Sequence, residues 1–170
     1  PVSVRWVDTN KGGPGEMEAR SRMVARDFKG ADNDRDDLFA ETPPLEAKRM
    51  LISRAATRGK RGRFRKLLFI DARKAHLNPR CEDEVYIWLP DEVGAREGMC
   101  GKLNKSMYGT RDAAQNWENC YAEFMIKLGF IQGVASPCVF YNKERNVRAV
   151  IHGDDYLLLG SEEQLDWFRK

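Results

Sequence analysis

The chain has 170 residues, a length that accommodates one domain or one compact lobe with a smaller attachment. Hydrophobic residues make up 42% of it, which is enough for a core, and the net charge of +3 is only weak support for an anionic partner. No apolar run is long enough to span a membrane, and no secretory signal is present. The four cysteines are dispersed and form no C-x-x-C pair, which indicates core thiols of an intracellular protein rather than a zinc site. Spacing alone leaves disulfides open.

The first 30 residues mix short strand-like segments with basic residues. Strands are predicted at residues 4–7 and 19–28. The second carries Arg20, Arg22 and Arg26, and their even spacing would put all three on one face. Such a stripe of guanidinium groups suits phosphate, and a solvated strand face is an equally good interpretation.

The next 40 residues contain a surface loop, a helix and a basic segment. Residues 32–37 are acidic and without periodicity, as in an exposed loop. Thr42 offers an N-cap before Pro43, and apolar residues at helical spacing predict a helix over 43–57. The segment 58–66 is a flexible basic loop that contacts a nucleic-acid backbone, or a solvated charge run. Its basic residues are Arg58, Lys60, Arg61, Arg63, Arg65 and Lys66.

A short apolar run at residues 67–70 ends in Asp71 and is typical of a strand buried on both faces. An aspartate at the end of such a strand is well placed for a functional carboxylate, or simply caps the next turn at residues 72–77. Further strands are predicted at residues 85–89 and 100–103.

The clearest helix covers residues 112–128, where an apolar stripe indicates core packing, and Gly129 ends it. A strand at 137–141 follows. A last helix starts at Ser161, and Gln164 completes a capping-box pattern.

Two apolar arms, residues 147–151 and 156–159, flank a tight turn in which Gly153 supplies the backbone freedom. The turn carries Asp154 and Asp155. Paired aspartates are common in exposed turns, but on a buried hairpin they indicate a cation site. The order of strands and helices predicts an α+β fold, with an antiparallel sheet and helices packed on one face.

Asp71 and Asp154 each lie at the end of an apolar strand. If those strands are neighbours, the two carboxylates meet at one edge of the sheet. Oxygen ligands with open positions suit Mg²⁺ or Mn²⁺. Two such ions, roughly 3.5–4 Å apart, would hold the attacking and leaving oxygens of a phosphoryl transfer.

Five segments, in this order, resemble the reverse transcriptase domain of copia-type retrotransposon polyproteins. The segments are residues 20–26, 69–77, 84–87, 105–109 and 152–155. The first resembles the fingers segment, the second the first catalytic motif, and the last stands where the family carries Tyr-x-Asp-Asp. The resemblance covers nearly the whole chain.

The resemblance implies a role for particular residues. Asp71 and Asp154 would bind the metal ions, assisted by the backbone carbonyl of Ala72, and Asp155 would lie beside them near the primer end. One of the early arginines, Arg20, Arg22 or Arg26, would hold the triphosphate of the incoming nucleotide.

Two further positions would contact the nucleotide and depart from the family pattern. His76 falls where the family places a bulky aromatic that excludes the ribose 2′-hydroxyl. Asp112 falls where a glutamine usually lies under the nucleotide. In the turn, His152 and Gly153 replace the usual tyrosine and apolar residue.

The resemblance also implies the architecture of polymerase fingers and palm. Residues 1–66 would form a fingers-like segment and 67–170 the palm, with inserted fingers strands near 80–100. The thumb, ribonuclease H and integrase domains would lie elsewhere in the polyprotein. The partners would be an RNA or DNA template-primer and a deoxynucleoside triphosphate, with no membrane, inside the cell in the cytoplasm or a transposon particle.

Two other functions fit the sequence. The departures at positions 76, 112, 152 and 153 favour a decayed domain that keeps the fold without the chemistry. The basic segment and early arginines favour a non-enzymatic nucleic-acid-binding module.

Overall fold

The computed structural model of the chain describes residues 1–27, 40–58 and 64–170. These residues form two compact units. Unit 1 comprises the described residues of Pro1–Phe39 and His76–Trp117, and unit 2 those of Ala40–Ala75 and Glu118–Lys170. The predicted acidic loop at 32–37 lies outside the described residues, as do Lys60, Arg61 and Arg63. Within the described ranges, no helix is long and apolar enough to cross a lipid bilayer.

Unit 2 is built on a five-stranded antiparallel sheet with strand order β3-β9-β8-β7-β6. The strands are β3 (Lys66–Asp71), β6 (Ile131–Gln132), β7 (Val139–Asn142), β8 (Val147–His152) and β9 (Asp155–Gly160). The predicted hairpin is therefore confirmed as β8 and β9, whereas the short β6 was not predicted.

Helix α1 (Leu45–Ala56) packs on one face of this sheet, where Leu51 contacts a buried cluster that includes Val150 and Leu157. On the opposite face, Tyr121 of helix α2 (Ala113–Lys127) makes edge-on ring contacts with Tyr156. Tyr156 and Leu157 point to opposite faces because side chains alternate along a strand. The prediction that all helices pack on one face is therefore wrong.

The reason lies in the composition of the two central strands. β8 and β9 are buried along most of their length, including consecutive residues on alternating faces. Both faces of the sheet must therefore be covered by apolar side chains. A third helix, α3 (Glu162–Arg169), contributes the buried Leu165, which lies against Gly160.

Strand β3 differs from its prediction. It stands first in the strand order and pairs with β9, and the Phe69 side chain is 69% exposed. The expectation of a strand buried on both faces is therefore wrong. Four consecutive apolar residues predicted burial on both sides, but the strand lies at the end of the sheet that the described residues form.

The helix starts were predicted less well than the helices themselves. α1 begins after Pro44, without a side-chain capping bond, rather than after Thr42. α3 begins after Ser161 as predicted, yet the capping-box side-chain bond is absent there. Gly129 has a φ of +81°, the left-handed conformation expected just after the end of α2.

Unit 1 contains two antiparallel hairpin pairs. β1 (Val4–Asn10) pairs with β2 (Ala19–Ala25), and β4 (Tyr86–Trp88) pairs with β5 (Cys100–Lys102). A small core joins them, formed by Ala25, Ile87 and Met107 with partly buried neighbours. Backbone hydrogen bonds from Val2 to Tyr86 and from Trp88 to Val2 connect the N-terminal segment to β4.

The two units divide the chain differently from the predicted fingers and palm segments. α1 belongs to unit 2, although it was predicted within the fingers-like 1–66, and His76–Trp117 joins unit 1. The assignment of segments to fingers and palm stays a prediction.

Candidate active site

Three aspartates come together where β3 meets the β8–β9 hairpin. Asp71, the last residue of β3, is the direct cross-strand partner of Asp155, the first residue of β9. Residues opposite each other in an antiparallel pair have Cβ atoms about 4.5–5.5 Å apart and share one face. Asp154 lies in the adjoining turn, and its carbonyl accepts a 2.8 Å hydrogen bond from the Ala72 N–H. The strand that ends in Asp71 and the hairpin that carries Asp154 are therefore neighbours in the sheet, as the prediction required.

The turn itself has a definite backbone requirement. Gly153 and Asp154 are the two residues between β8 and β9, and Gly153 has a φ of +62°. A two-residue hairpin with positive φ at its first central residue is the type that prefers glycine there. A Cβ at Gly153 would meet no atom within 4 Å, so the backbone angle, and not crowding, favours glycine.

All three aspartates are exposed, while Tyr156 and Ile151 next to the turn are buried. The carboxylates therefore extend from a rigid, well-packed hairpin into solvent. This arrangement holds charged groups in place without a desolvation cost.

A cavity of about 350 Å³ lies beside this carboxylate cluster within unit 2. Asp71, Asp155 and the exposed Phe69 line it, as do Lys48 and His152. Lys48 Nζ lies 2.8 Å from His152 Nδ1. The two nitrogens are within hydrogen-bond distance of each other.

The donor set fits Mg²⁺ or Mn²⁺ in the manner of a substrate-dependent site. Within the described residues, no group of three or more His, Cys, Asp or Glu side chains is arranged to hold a metal ion. Mg²⁺ is commonly bound by one or two carboxylates, with waters and substrate phosphates completing the shell. Asp71 with Asp154 or Asp155 supplies that number, so the remaining ligands would come from substrate and water.

The residues predicted to bind the nucleotide lie mostly in unit 1. Arg22 is on β2, with its guanidinium carbon 5.9 Å from the Tyr108 ring centroid. His76 meets the same ring edge-on at 5.4 Å. Two of the predicted residues are therefore brought together around Tyr108. Arg20 is on β2 and exposed, whereas Arg26 follows the strand.

Asp112 is the most buried of the predicted site residues, with only 6% of its surface exposed. Its Oδ2 accepts hydrogen bonds from Asn116 Nδ2 at 2.7 Å and Cys81 Sγ at 3.8 Å, while the buried Oδ1 has no hydrogen-bond partner among the described residues. Burial, together with the negative charge of Asp112, raises the pKa of the Cys81 thiol. In this structure Asp112 is thus a buried hydrogen-bond acceptor within unit 1.

Sequence reasoning did not single out Lys48 or Tyr108 for the site. Tyr108 belongs to the segment 105–109 that resembles the family, and its aromatic ring is the signal that could have identified it. Lys48 is one basic residue among several on α1, and only its 2.8 Å contact with His152 distinguishes it.

Three basic residues of the predicted segment 58–66 are among those that the structure describes. Lys66 forms an ion pair with Glu162 at 2.5 Å, with both side chains largely exposed. Arg58 lies with its guanidinium carbon 5.5 Å from the centre of the Phe64 ring. Arg65 is half-buried.

A comparison with family models matches residues 1–168 to the family described as reverse transcriptase (RNA-dependent DNA polymerase). Because this match covers almost the entire chain, the protein belongs to the reverse transcriptase family. No solved structure matches the chain.

Curated relatives are polyproteins of transposons. The chain is 27% identical, over 97% of its length, to the retrovirus-related Pol polyprotein from transposon TNT 1-94 of Nicotiana tabacum, and covers 13% of that protein. For the Pol polyprotein from transposon RE1 of Arabidopsis thaliana, the identity is 25% over 96% of the chain and 11% of the relative. The truncated transposon Ty1-A Gag-Pol polyprotein of Saccharomyces cerevisiae is 28% identical over 55% of the chain and 8% of the relative.

These matches confirm the predicted resemblance to copia-type retrotransposon reverse transcriptases. The chain spans 11–13% of the length of the two plant polyproteins, so it corresponds to a small part of each.

Proposed function

We propose that the chain is the fingers and palm part of an RNA-directed DNA polymerase, which adds deoxynucleotides to a primer 3′-hydroxyl. The observation that carries the proposal is the direct cross-strand pairing of Asp71 with Asp155, next to Asp154 in the turn. Family membership supports the reaction class, and the paired carboxylates support the location of its chemistry.

In this proposal, the primer hydroxyl attacks the α-phosphorus of the incoming nucleotide, the bond to the bridging oxygen breaks, and pyrophosphate leaves. Mg²⁺ or Mn²⁺, when bound, would supply positive charge for the attacking and leaving oxygens. Asp71 and Asp154 would hold the metal ions, assisted by the Ala72 carbonyl, and Asp155 would lie near the primer end.

The contribution of the protein would be largely positioning. The two-residue turn and the Ala72–Asp154 hydrogen bond fix the backbone of the carboxylate cluster. Such pre-arranged charges are effective because they need no reorganisation during the reaction. One of the early arginines, Arg20, Arg22 or Arg26, would hold the triphosphate of the nucleotide, and His76 would exclude the ribose 2′-hydroxyl.

Primer extension on an RNA template tests the proposal, with Mg²⁺ and Mn²⁺ supplied separately. We expect Asp71→Asn and Asp154→Asn to lower the rate at least about 100-fold, because each removes a charge at the reacting centre. The matched control is Asp166→Asn, which changes an exposed aspartate on α3 and should leave the rate unchanged. Because the chain spans only 11–13% of the two plant polyproteins, a longer form of the polyprotein is measured in parallel.

The decayed-domain alternative makes a different prediction in the same assay. It is favoured by Asp112, which is buried and hydrogen-bonded within unit 1. Activity absent from the unaltered longer form with both metals, in a folded protein, would support that alternative. Equal activity in the Asp154→Asn variant would reject the assignment of the carboxylates.

A further inference from the structure

A cluster of arginines lies at the end of the unit 2 sheet away from the carboxylates. Arg148, near the start of β8, and Leu67 of β3 both pair with Leu159 of β9. Arg65 comes directly before Lys66, the first residue of β3, so the chain enters the sheet at this end. Five steps of β3 separate Lys66 from Asp71, which places this end roughly 17 Å from the carboxylate cluster.

Helix α1 brings a further arginine to the same place. Lys48 in its first half contacts His152, and Leu51 packs with Val150, so α1 runs along β8 in the opposite direction. Arg54, in the last turn of α1, is consequently carried towards Arg148. Burial, and then the like charge of Arg54 and of Arg65, lowers the pKa of Arg148.

Arg148, the best defined arginine of this cluster, has neutral partners. Arg148 donates to Asn146 Oδ1 at 3.0 Å and lies 4.5 Å from the centre of the Tyr141 ring. Among the ion pairs of the described residues, none involves Arg54, Arg58, Arg65 or Arg148. Like charges gathered in one place destabilise one another, and an anionic ligand would relieve that repulsion.

An exposed aromatic ring adjoins the cluster. Phe64 is 58% exposed, precedes Arg65 in the chain, and has the Arg58 guanidinium 5.5 Å from its ring centre. An exposed ring beside arginines is the combination that binds single-stranded nucleic acid, because bases stack on the ring while guanidinium groups contact phosphates. An acidic peptide would use the charges and leave the ring without a role.

We propose that this arginine patch, defined as Arg54, Arg58, Arg65 and Arg148 with Phe64, binds single-stranded nucleic acid at a site separate from the carboxylate cluster. The patch contacts phosphates through the arginines and stacks one base on Phe64. It goes beyond the polymerase reaction, since binding here requires neither metal ion nor nucleotide.

Fluorescence anisotropy tests the patch, with a labelled single strand of about 12 thymidines, in EDTA and without nucleotide. Each phosphate contact contributes about 0.7 to the slope of log affinity against log salt for a single strand. The double variant Arg54→Gln and Arg65→Gln should therefore reduce the slope by about 1.4 between about 50 and 200 mM salt. Replacing the same two arginines with lysine should restore most of the lost salt slope.

The matched control removes two other exposed charges of unit 2, with Lys127→Gln and Arg169→Gln, which sit in their own ion pairs. A slope that falls equally in control and patch variants would overturn the proposal. So would a slope that stays at the unaltered value in the patch variant.

Phe64→Leu separates nucleic acid from an acidic peptide. Losing one stacked base should weaken binding of the single strand at least about fivefold without changing the salt slope. Unchanged affinity, with displacement of the strand by polyglutamate at equal charge, would overturn the nucleic-acid assignment in favour of an acidic peptide.

The Asp71→Asn variant keeps the two proposals apart. It should bind the single strand as well as the unaltered chain, because the patch lies at the other end of β3. Loss of primer extension with intact binding in Asp71→Asn is the result that both proposals expect, whereas weaker binding of the single strand in this variant would overturn a patch separate from the carboxylates. An unaltered chain that binds the strand but does not extend a primer would count against the proposed polymerase reaction alone.

Discussion

The two units of the chain hold their candidate residues in different ways. In unit 2, the carboxylates end two strands of a five-stranded sheet whose centre is buried on both faces. In unit 1, Arg22 lies on a strand pair whose residues are mostly exposed, and only the last residue of β2, Ala25, is buried. Burial of apolar area is what fixes backbone position, so unit 2 should hold its residues more rigidly than unit 1.

The largest expected effect comes from the sheet of unit 2. Phe140 on β7 is 1% exposed and contacts Tyr121 edge-on. Phe140→Ala should lower the free energy of unfolding by about 3–5 kcal/mol, because it removes a large buried ring and leaves a cavity. Urea denaturation followed by far-ultraviolet circular dichroism measures this change.

Phe69→Ala is the matched control, since it removes the same ring from an exposed position of the same sheet. It should cost less than about 1 kcal/mol. Three of the four tryptophans, Trp6, Trp88 and Trp117, lie in unit 1, so their fluorescence shows whether unit 1 unfolds with the sheet. Equal losses for the two phenylalanine variants would contradict the contrast between the strands.

Unit 1 should be most sensitive at a backbone contact. A Cβ on Gly109 would lie 2.1 Å from the Ala25 carbonyl oxygen, and the glycine has a φ of +86°. Gly109→Ala should therefore cost more than about 2 kcal/mol, since it combines backbone strain with a clash that a side chain cannot avoid. Hydrogen exchange at the Ala25 amide, which donates to Tyr108, reports the local loosening.

Gly153→Ala tests backbone strain without the steric clash that accompanies it at Gly109. Its φ of +62° is also unfavourable for alanine, but its Cβ would meet no atom within 4 Å. The expected cost is about 1 kcal/mol. A larger loss at Gly153 than at Gly109 would show that crowding is not what restricts unit 1.

The sequence predicted the parts of the fold that depend on local pattern. Continuous apolar runs located β8 and β9, the Gly-Asp-Asp turn located the junction of these two strands, and an apolar stripe at helical spacing located α2. Asp71 and Asp155 were linked only through the family resemblance and the assumption of neighbouring strands. The pairing itself depends on contacts between residues 84 positions apart, which periodicity does not contain.

The errors share a physical cause. Four apolar residues in β3 predicted burial on both faces, but position within a sheet decides whether a residue such as Phe69 is covered. Helix placement failed likewise, because apolar alternation does not say which helix covers which face. The hydrogen bond from Cys81 to Asp112 and the contact of Lys48 with His152 arise from tertiary packing and have no local signal.

The cysteine beside Asp112 gives a chemical test of unit 1. Burial and the charge of Asp112 raise the pKa of Cys81, which lowers its thiolate fraction at a given pH. Asp112→Asn removes the charge but leaves Cys81 buried. At pH 8, iodoacetamide should therefore alkylate Cys81 faster in the variant than in the unaltered chain, by less than about tenfold. Mass spectrometry measures the rate.

Two comparisons guard against a general loosening. Cys100 is exposed and serves as an internal reference whose rate should not change. Asp83→Asn should accelerate Cys81 less, because Asp83 raises the pKa of that thiol less than Asp112 does. An unchanged ratio of Cys81 to Cys100 rates in Asp112→Asn would exclude the electrostatic explanation.

The smallest expected effect concerns a buried carboxyl in unit 2. Glu118 is 7% exposed and accepts a 3.0 Å hydrogen bond from the Glu41 N–H. Burial raises its pKa, so the folded state favours the protonated form. Its stabilising contribution is complete below the unfolded pKa of about 4.3 and is lost as pH rises through the folded pKa.

Glu118→Gln keeps the acceptor oxygen and removes the ionisation. The free energy of unfolding of the variant, relative to that of the unaltered chain, should therefore rise between pH 4 and pH 7, by less than about 1 kcal/mol. Glu123→Gln on the same helix is the control, because that exposed glutamate only pairs with Lys127. A difference for Glu118→Gln that stays constant over this range would mean that the hydrogen bond to Glu41, and not the buried charge, determines its effect.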